Sequence, residues 1–248
     1  MGKQIKMPQT NDKTDGGNHL LAVAVCLTAV AVVSTFVFSA MVFMYMRDSM
    51  ASQREHASLL ALAEINHPVS SAFYAEMRQI NPDYVCWLTI DGTPVSYPVV
   101  RGSDNETYLT LSFFGEENML GTLFMDYRNV EEYVPHIIIY GHNAKQGQKF
   151  GSLHRFIDES FAAEHPIITL KVNDRIVEYE IFSARKTDVT DDAYHLDFSA
   201  PGSFQAFAER NGAPPDAVQI ITLSTCVSGG DDDARIIVQG ALRQTIAH

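Results

Sequence analysis

Cysteine is scarce in this 248-residue chain. Cys26, Cys86 and Cys226 are an odd, scattered set, too few for a disulfide framework. Positive charge is also in short supply. Lysine and arginine total 18 against 30 aspartates and glutamates, a net charge of −12, so the basic footprint needed to bind a phosphate backbone is missing and nucleic acid is not an expected partner. Internal repeats and compositional bias are absent. At 46% hydrophobic and 19% charged residues the chain has material for a packed core, which excludes collagen-like and wholly disordered classes. Its length allows one domain with an appendage, or two small domains.

Near the N-terminus the missing feature is charge of either sign. Residues 20–46 contain no Asp, Glu, Lys or Arg and are mostly Leu, Ala, Val, Phe and Met, with scattered Ser and Thr, Cys26 and Tyr45. At about 1.5 Å per residue, such a helix crosses a hydrocarbon core of about 30 Å with some tilt. A cleaved signal peptide has a shorter apolar region, about 7 to 15 residues, ending in a small-x-small site. Here Phe38-Ser39-Ala40 sets a bulky Phe where a small residue belongs, which favours a retained single-pass anchor. Lys3, Lys6 and Lys13 precede the run and Arg47 and Arg54 follow it, a bias toward a cytoplasmic N-terminus with the body outside. Beyond position 46 there are 15 basic and 28 acidic residues, a net of −13, so this body is not expected to cling to an anionic membrane surface.

The expected organisation is a short cytoplasmic segment (1–19), a transmembrane helix (20–46), helices serving as a stalk or packed on the body (47–83), and a β-rich domain (84–248). Residues 48–65 read as helix, with Leu59, Leu60 and Leu62 clustered and no breaker before Pro68. Phe73, Met77 and Ile80 recur at helical spacing up to the turn Asn81-Pro82-Asp83. From Val85 the period changes to that of strands. Candidates cover 85–90, 95–100, 122–125, 136–140, 167–172, 175–184, 218–225 and 235–243, with hairpin signals at Asp91-Gly92 and Asn173-Asp174. Pro98 marks an edge or a bulge. Short helices are expected over 150–157 and 203–210, the latter with Phe204 and Phe207 facing inward. Many short strands with few inserted helices suit a closed or nearly closed β-barrel better than alternating βαβ units.

Two strand ends carry chemistry. Ile137-Ile138-Ile139-Tyr140-Gly141-His142-Asn143 delivers a histidine just past a buried run, after a glycine that lets the backbone turn. Gln219-Ile220-Ile221-Thr222-Leu223-Ser224-Thr225-Cys226 delivers a cysteine at the tip of another, ahead of the flexible Val227-Ser228-Gly229-Gly230. Rigid strands with reactive groups at their ends hold a site in fixed geometry. If the last two strands pair as a long hairpin, Arg235 returns beside Cys226. A thiol is the better nucleophile when nearby positive charge stabilises its thiolate, and His142 and Arg235 can supply it. A histidine also protonates a leaving amine. Such a set can form a thioester with a peptide carbonyl and pass the acyl group to another nucleophile. Taken singly, each has a commoner reading: Cys226 as a small buried hydrophobe, His142 as a surface or structural ring, and Arg235 as a solvated or salt-bridged cation.

Tyr140-Gly141-His142-Asn143, then Thr222-Leu223-Ser224-Thr225-Cys226, then an arginine opening the next strand, resembles the sortases, and more narrowly their class B. Supporting stretches are Trp87-Leu88-Thr89-Ile90-Asp91-Gly92-Thr93, Tyr97-Pro98-Val99-Val100, Asn105 with Tyr108-Leu109, Gly121-Thr122-Leu123-Phe124-Met125-Asp126 and Arg128-Asn129. A helical region between Thr187 and Pro214, before the cysteine strand, is also similar to class B. The resemblance implies a closed sortase-type barrel of about eight strands, N-terminal helices packed against it, and cysteine transpeptidation outside a Gram-positive membrane. Carried over, Cys226 is the nucleophile that attacks after a threonine of a C-terminal sorting signal. His142 is the general acid for the leaving amine, and Arg235 holds the substrate and stabilises the oxyanion. Tyr140, Ser224 and Thr225 line the cleft, and Asn105 is either a cleft residue or a turn residue. The expected partners are secreted proteins bearing that signal and a peptidoglycan amine as acceptor. No cofactor is expected, and no metal site is proposed from His154, His165 or His195, or from the acidic loop Asp231-Asp232-Asp233. A peptidase that hydrolyses the same thioester would use the same residues, and pilin polymerisation is a variant within the family.

Overall fold

The computed structural model describes residues 15–66, 69–130, 134–226 and 233–247. Several expectations fall outside them: the lysines before residue 15, the break at Pro68, the Val227-Ser228-Gly229-Gly230 turn and Asp231-Asp232. The Cys226 side chain is also outside the described set.

The first element, α1, spans Asp15–Asn66. Its part up to Arg47 is a unit by itself. There the apolar side chains face outward, Phe36 being 75% exposed, and the helix is long and apolar enough to cross a membrane. The hydroxyls of Thr28 and Thr35 donate to backbone carbonyls of Ala24 and Ala31, at 3.0 and 2.8 Å, so neither needs water in an apolar setting.

From Asp48 onward α1 belongs to the second unit. It is followed by α2 (Ser71–Ile80), which Ser70 opens by accepting from the Phe73 N–H at 3.1 Å. Leu59 and Ala63 of α1 and Phe73 and Met77 of α2 pack with Tyr84, Trp87, Val100 and Phe113 on one outer face of the barrel. Ile80 shares their spacing but lies at the helix end and is 37% exposed, so the buried stripe stops one turn earlier.

The barrel strands are β1 (Tyr84–Ile90), β2 (Ser96–Val100), β3 (Leu123–Met125), β4 (His136–Tyr140), β5 (Ile167–Val172), β6 (Arg175–Asp188), β7 (Ile220–Cys226) and β8 (Ala234–Ala247). They close in the order β1-β2-β3-β4-β7-β8-β6-β5. Closure leaves no open edge to guard. Ile139, Ile221, Leu223 and Val238 are fully buried in its interior with Leu88, Leu123 and Ile168. Pro98 lies opposite Trp87 of β1, while β2 meets β3 only at Val99 and Val100, so the missing N–H costs no bond to β3. A bulge between Tyr84 and Cys86 sits beside it. The ladder of β6 with β8 runs from Arg175↔Ala247 to Asp188↔Ala234, past the ends expected from hydrophobicity. Those extensions are largely polar, and Ile246 is 41% exposed, because they project beyond the core, where only backbone pairing is required.

The helical stretch expected over 150–157 is a 3-10 turn at Leu153–Ile157, followed by a short α3 (Glu159–Glu164) that the sequence reading omitted. Before the cysteine strand, α4 (Ser203–Arg210) buries Phe204 and Phe207 against Ile220 and Phe198.

Candidate active site

The parallel pairing of β4 with β7 is the keystone of the site. It sets Tyr140 beside Ser224, so both strands end at the same rim of the barrel. β8 then pairs antiparallel with β7, and Cys226 lies directly opposite Arg235. Directly opposed positions on antiparallel strands have Cβ atoms about 4.5–5.5 Å apart. The long hairpin expected from sequence is thus present, although its turn is outside the described residues.

A groove of about 390 Å³ opens at this rim. Its lining includes Asn105, Tyr140, His142, Ser224, Thr225 and Arg235, the six sequence-selected residues whose side chains are described, and Cys226 is the next residue along β7. Gly141, expected as a turn-maker, does not take a positive φ. It is needed for room: a Cβ there would fall 2.3 Å from Leu123 Cδ2 and 2.8 Å from Phe150 Cδ2. Those contacts press the chain against the barrel wall just before His142.

The His142 ring is half-buried, and its Nε2 lies 2.7 Å from the Leu109 carbonyl oxygen. A carbonyl only accepts, so Nε2 carries a hydrogen in this arrangement. Arg235 donates to the Ala234 carbonyl at 3.0 Å and is likewise half-buried.

Beneath this rim lies a polar hub built on Asp126, a residue to which local sequence pattern assigns no role. Asp126 is 0% exposed. It accepts from Arg128 Nε and Nη2, both at 2.8 Å, from the Tyr140 hydroxyl at 3.0 Å and from Asn105 Nδ2 at 3.0 Å. Burial alone would raise the Asp126 carboxyl, but the hydrogen bonds from Arg128 and Tyr140 outweigh it and hold the group below its ordinary range. Burial, reinforced by the Asp126 charge, pushes the Tyr140 phenol well above its ordinary value, so it stays a donor. Asn105 has both ends of its amide engaged, since its Oδ1 also accepts from the Tyr127 N–H at 3.0 Å. It is therefore both a turn fastener and part of the groove wall.

Tyr194, from a short 3-10 turn ahead of α4, was not foreseen. Its ring stacks on Tyr140 with centroids 6.4 Å apart, and its hydroxyl pairs with Ser224 Oγ at 2.8 Å. Phe124 completes an aromatic wall, 5.3 Å from the Tyr140 ring. No local signal marks Tyr194, because only the return of the 188–219 segment over the rim brings it there. Thr225 Oγ1 is buried without a hydrogen-bond partner, a group that gains by meeting a ligand donor or acceptor.

A closed eight-stranded barrel with a helix ahead of β7, and a groove where histidine, cysteine-bearing and arginine-bearing strand ends meet, defines the sortase type of domain. Residues 88–243 match the family model described as the sortase domain. The chain is 33% identical over 180 residues to sortase B of Listeria monocytogenes, covering 67% of this chain and 72% of that protein. A mutant form of Clostridium perfringens sortase B superposes with a TM-score of 0.69 at 26% identity, over 77% of this chain and 98% of that one. The Staphylococcus aureus sortase B–substrate complex does so with a TM-score of 0.66 at 27% identity, over 79% and 94%. The chain belongs to the sortase family of cysteine transpeptidases, and within it to class B.

Proposed function

We propose that this class B sortase is a membrane-anchored transpeptidase that joins secreted proteins to the cell wall. Cys226 attacks the carbonyl carbon of a threonine in a C-terminal sorting signal. The peptide C–N bond breaks, the departing amine takes a proton from His142, and the acyl group remains as a thioester on Cys226. A peptidoglycan amine then attacks the thioester, loses a proton to His142, and releases the thiol with a new amide bond in place. Arg235 holds the substrate carbonyl and stabilises the oxyanion of each tetrahedral intermediate. Tyr140, Ser224, Thr225 and Asn105 contact the signal in the groove. Residues 20–46 are the single-pass anchor, with residues 1–19 cytoplasmic, 47–83 as the adjoining helices and 84–248 as the catalytic domain outside the membrane.

The observation that carries this reading is the pairing of Cys226 with Arg235 on a groove that His142 also lines. Further support comes from the acidic body, which leaves the anchor as the natural attachment to an anionic membrane. The test is partition of the thioester. With a threonine-containing peptide drawn from a quenched-fluorescence library, adding oligoglycine or a diaminopimelate peptide raises turnover and diverts product to the ligated form. Hydrolysed acid as the sole product across amines would replace transpeptidation with a peptidase.

A further inference from the structure

The loop that carries His142 is closed on itself. The His142 carbonyl accepts from the N–H groups of Ala144 and Phe150, each at 3.0 Å, and Asn143 and Lys149 form an antiparallel bridge. Lys149 thus sits across from the residue that follows the histidine. Its backbone is in the left-handed region, with φ of 52°, a conformation a lysine holds only when its surroundings fix it. The side chain turns inward and is 3% exposed. Its ammonium lies 5.2 Å from the centroid of the Tyr97 ring, and its N–H donates to the Tyr97 hydroxyl at 3.2 Å.

Glu55, from the body-side part of α1, lines the same small pocket as Lys149 and Tyr97. One carboxylate oxygen accepts from the Phe113 N–H at 2.7 Å, and the other is buried with no hydrogen-bond partner. Burial raises the Glu55 carboxyl and lowers the Lys149 ammonium, and each charge opposes that shift in the other. No direct ion pair joins the two groups, and buried titratable groups so arranged are a poor source of stability.

What they hold is His142, from both sides. Phe113 lies four residues beyond Leu109, whose carbonyl receives the imidazole hydrogen, so Glu55 pins the segment that orients the ring. Lys149 pins the loop from which the ring projects. Gln148 and Gln146 of that loop reach Ser49 and Gln53 of α1, at 3.2 and 3.3 Å.

We propose that Glu55 and Lys149 are positioning residues for His142, two buried side chains of one pocket that fix the two chain segments holding the imidazole against the N-terminal helix. This rests on the reading of His142 as the proton-transfer group. The experiment uses the full chain in detergent micelles, a library-selected threonine-containing peptide as substrate, and isotope-labelled histidine whose His142 ring resonance is assigned by its loss in His142→Gln. Glu55→Gln, close to isosteric, lowers kcat about 10-fold or more with KM within about 2-fold, and displaces the His142 resonance. Lys149→Met does the same, and the double variant regains part of the loss because neither charge is left alone. Met77→Ala, a cavity in the helix packing outside that pocket, moves neither readout. A folded Glu55→Gln variant with wild-type kcat and resonance overturns the proposal, as does Met77→Ala reproducing both changes. Should Lys149→Met not fold, Glu55→Gln decides alone. If the wild-type chain cleaves no peptide, the catalytic reading fails while the resonance still decides whether the pair positions the ring.

Discussion

Strands β4, β7 and β8 carry a polar layer at two heights, and the two layers behave differently. The lower one is His136, Thr222 and Gln239. Gln239 Nε2 donates to Thr222 Oγ1 at 3.2 Å, the Thr222 hydroxyl donates to His136 Nε2 at 2.8 Å, and His136 Nδ1 donates to the His195 carbonyl at 2.8 Å. A carbonyl acceptor requires a hydrogen on Nδ1 and the hydroxyl donates to Nε2, so the ring is neutral with a fixed tautomer. His136 is 0% exposed and packs on Phe207. The upper layer is His142, Cys226 and Arg235 at the rim. There the ring has one nitrogen bonded to a carbonyl and stands half in water. Residue type does not separate a fastener from a proposed reagent here. Both layers use a histidine on the same strand or just past its end, and what differs is that both ring nitrogens of His136 are bonded, while among the described residues His142 has one bonded.

The sharpest way to test that contrast is to delete from the rim. Cys226→Ala removes the proposed nucleophile, and peptide cleavage and thioester formation fall by about 10⁴-fold or more. His142→Ala costs about 10²- to 10⁴-fold, the range for a general acid–base group. Neither variant shifts the urea midpoint appreciably, since both sit at the edge of the packed layer. A mass spectrum of peptide-treated protein checks the acyl-enzyme. Turnover by Cys226→Ala, or a large loss of stability in His142→Ala, would erase the distinction between layers.

Deletion from the lower layer has the opposite signature. His136→Asn destabilises the fold by about 2–3 kcal/mol, through a lost ring and orphaned partners, while the folded fraction retains activity within a few-fold. Its pH dependence has a definite sign. Burial pushes the His136 imidazole down to about 4, against about 6.5 when unfolded. Between those values the unfolded chain binds the extra proton, so stability rises with pH through this window, is fully present above about 6.5, and is lost as pH falls toward 4. The swing is roughly 3 kcal/mol. Urea midpoints at pH 7.5 and pH 5 capture about 2 kcal/mol of it, and His136→Asn has the flatter profile of the two proteins. An equal slope in both would place the titration elsewhere.

How much of this was legible beforehand follows from what local pattern encodes. β4 and β5 were readable to the residue, because β-branched runs bounded by turn residues leave little choice. The Cys226–Arg235 pairing was readable once a hairpin was assumed. The groove partners on one rim were legible only through the family resemblance, because the parallel β4–β7 pairing that joins them links strands about 80 residues apart in sequence. His136 drew no comment for the same reason: its partners Thr222 and His195 are remote in sequence. The Leu109 carbonyl is invisible to any reading of side chains. Asp126 and Arg128 stood in recognised stretches, yet their pairing beneath Tyr140 emerges only when β3 and β4 lie side by side.

Cys86 extends the comparison to the thiols, with the smallest expected effect. It lies on β1, 1% exposed, and burial pushes its thiol up to about 12. The thiolate is the reactive form, so an alkylating reagent at pH 7.5 finds neither access nor charge at this position. In a Cys26→Ala background, iodoacetamide labels Cys226 in the native protein and reaches Cys86 only in urea, as peptide mapping would read. Cys86→Ala costs about 1 kcal/mol from the small cavity left beside Leu88 and Leu170 and leaves turnover unchanged. Native labelling of Cys86 at the Cys226 rate would mean that barrel interior and rim impose the same chemistry on a thiol, which the hydrogen-bonded lower layer and the open upper one argue against.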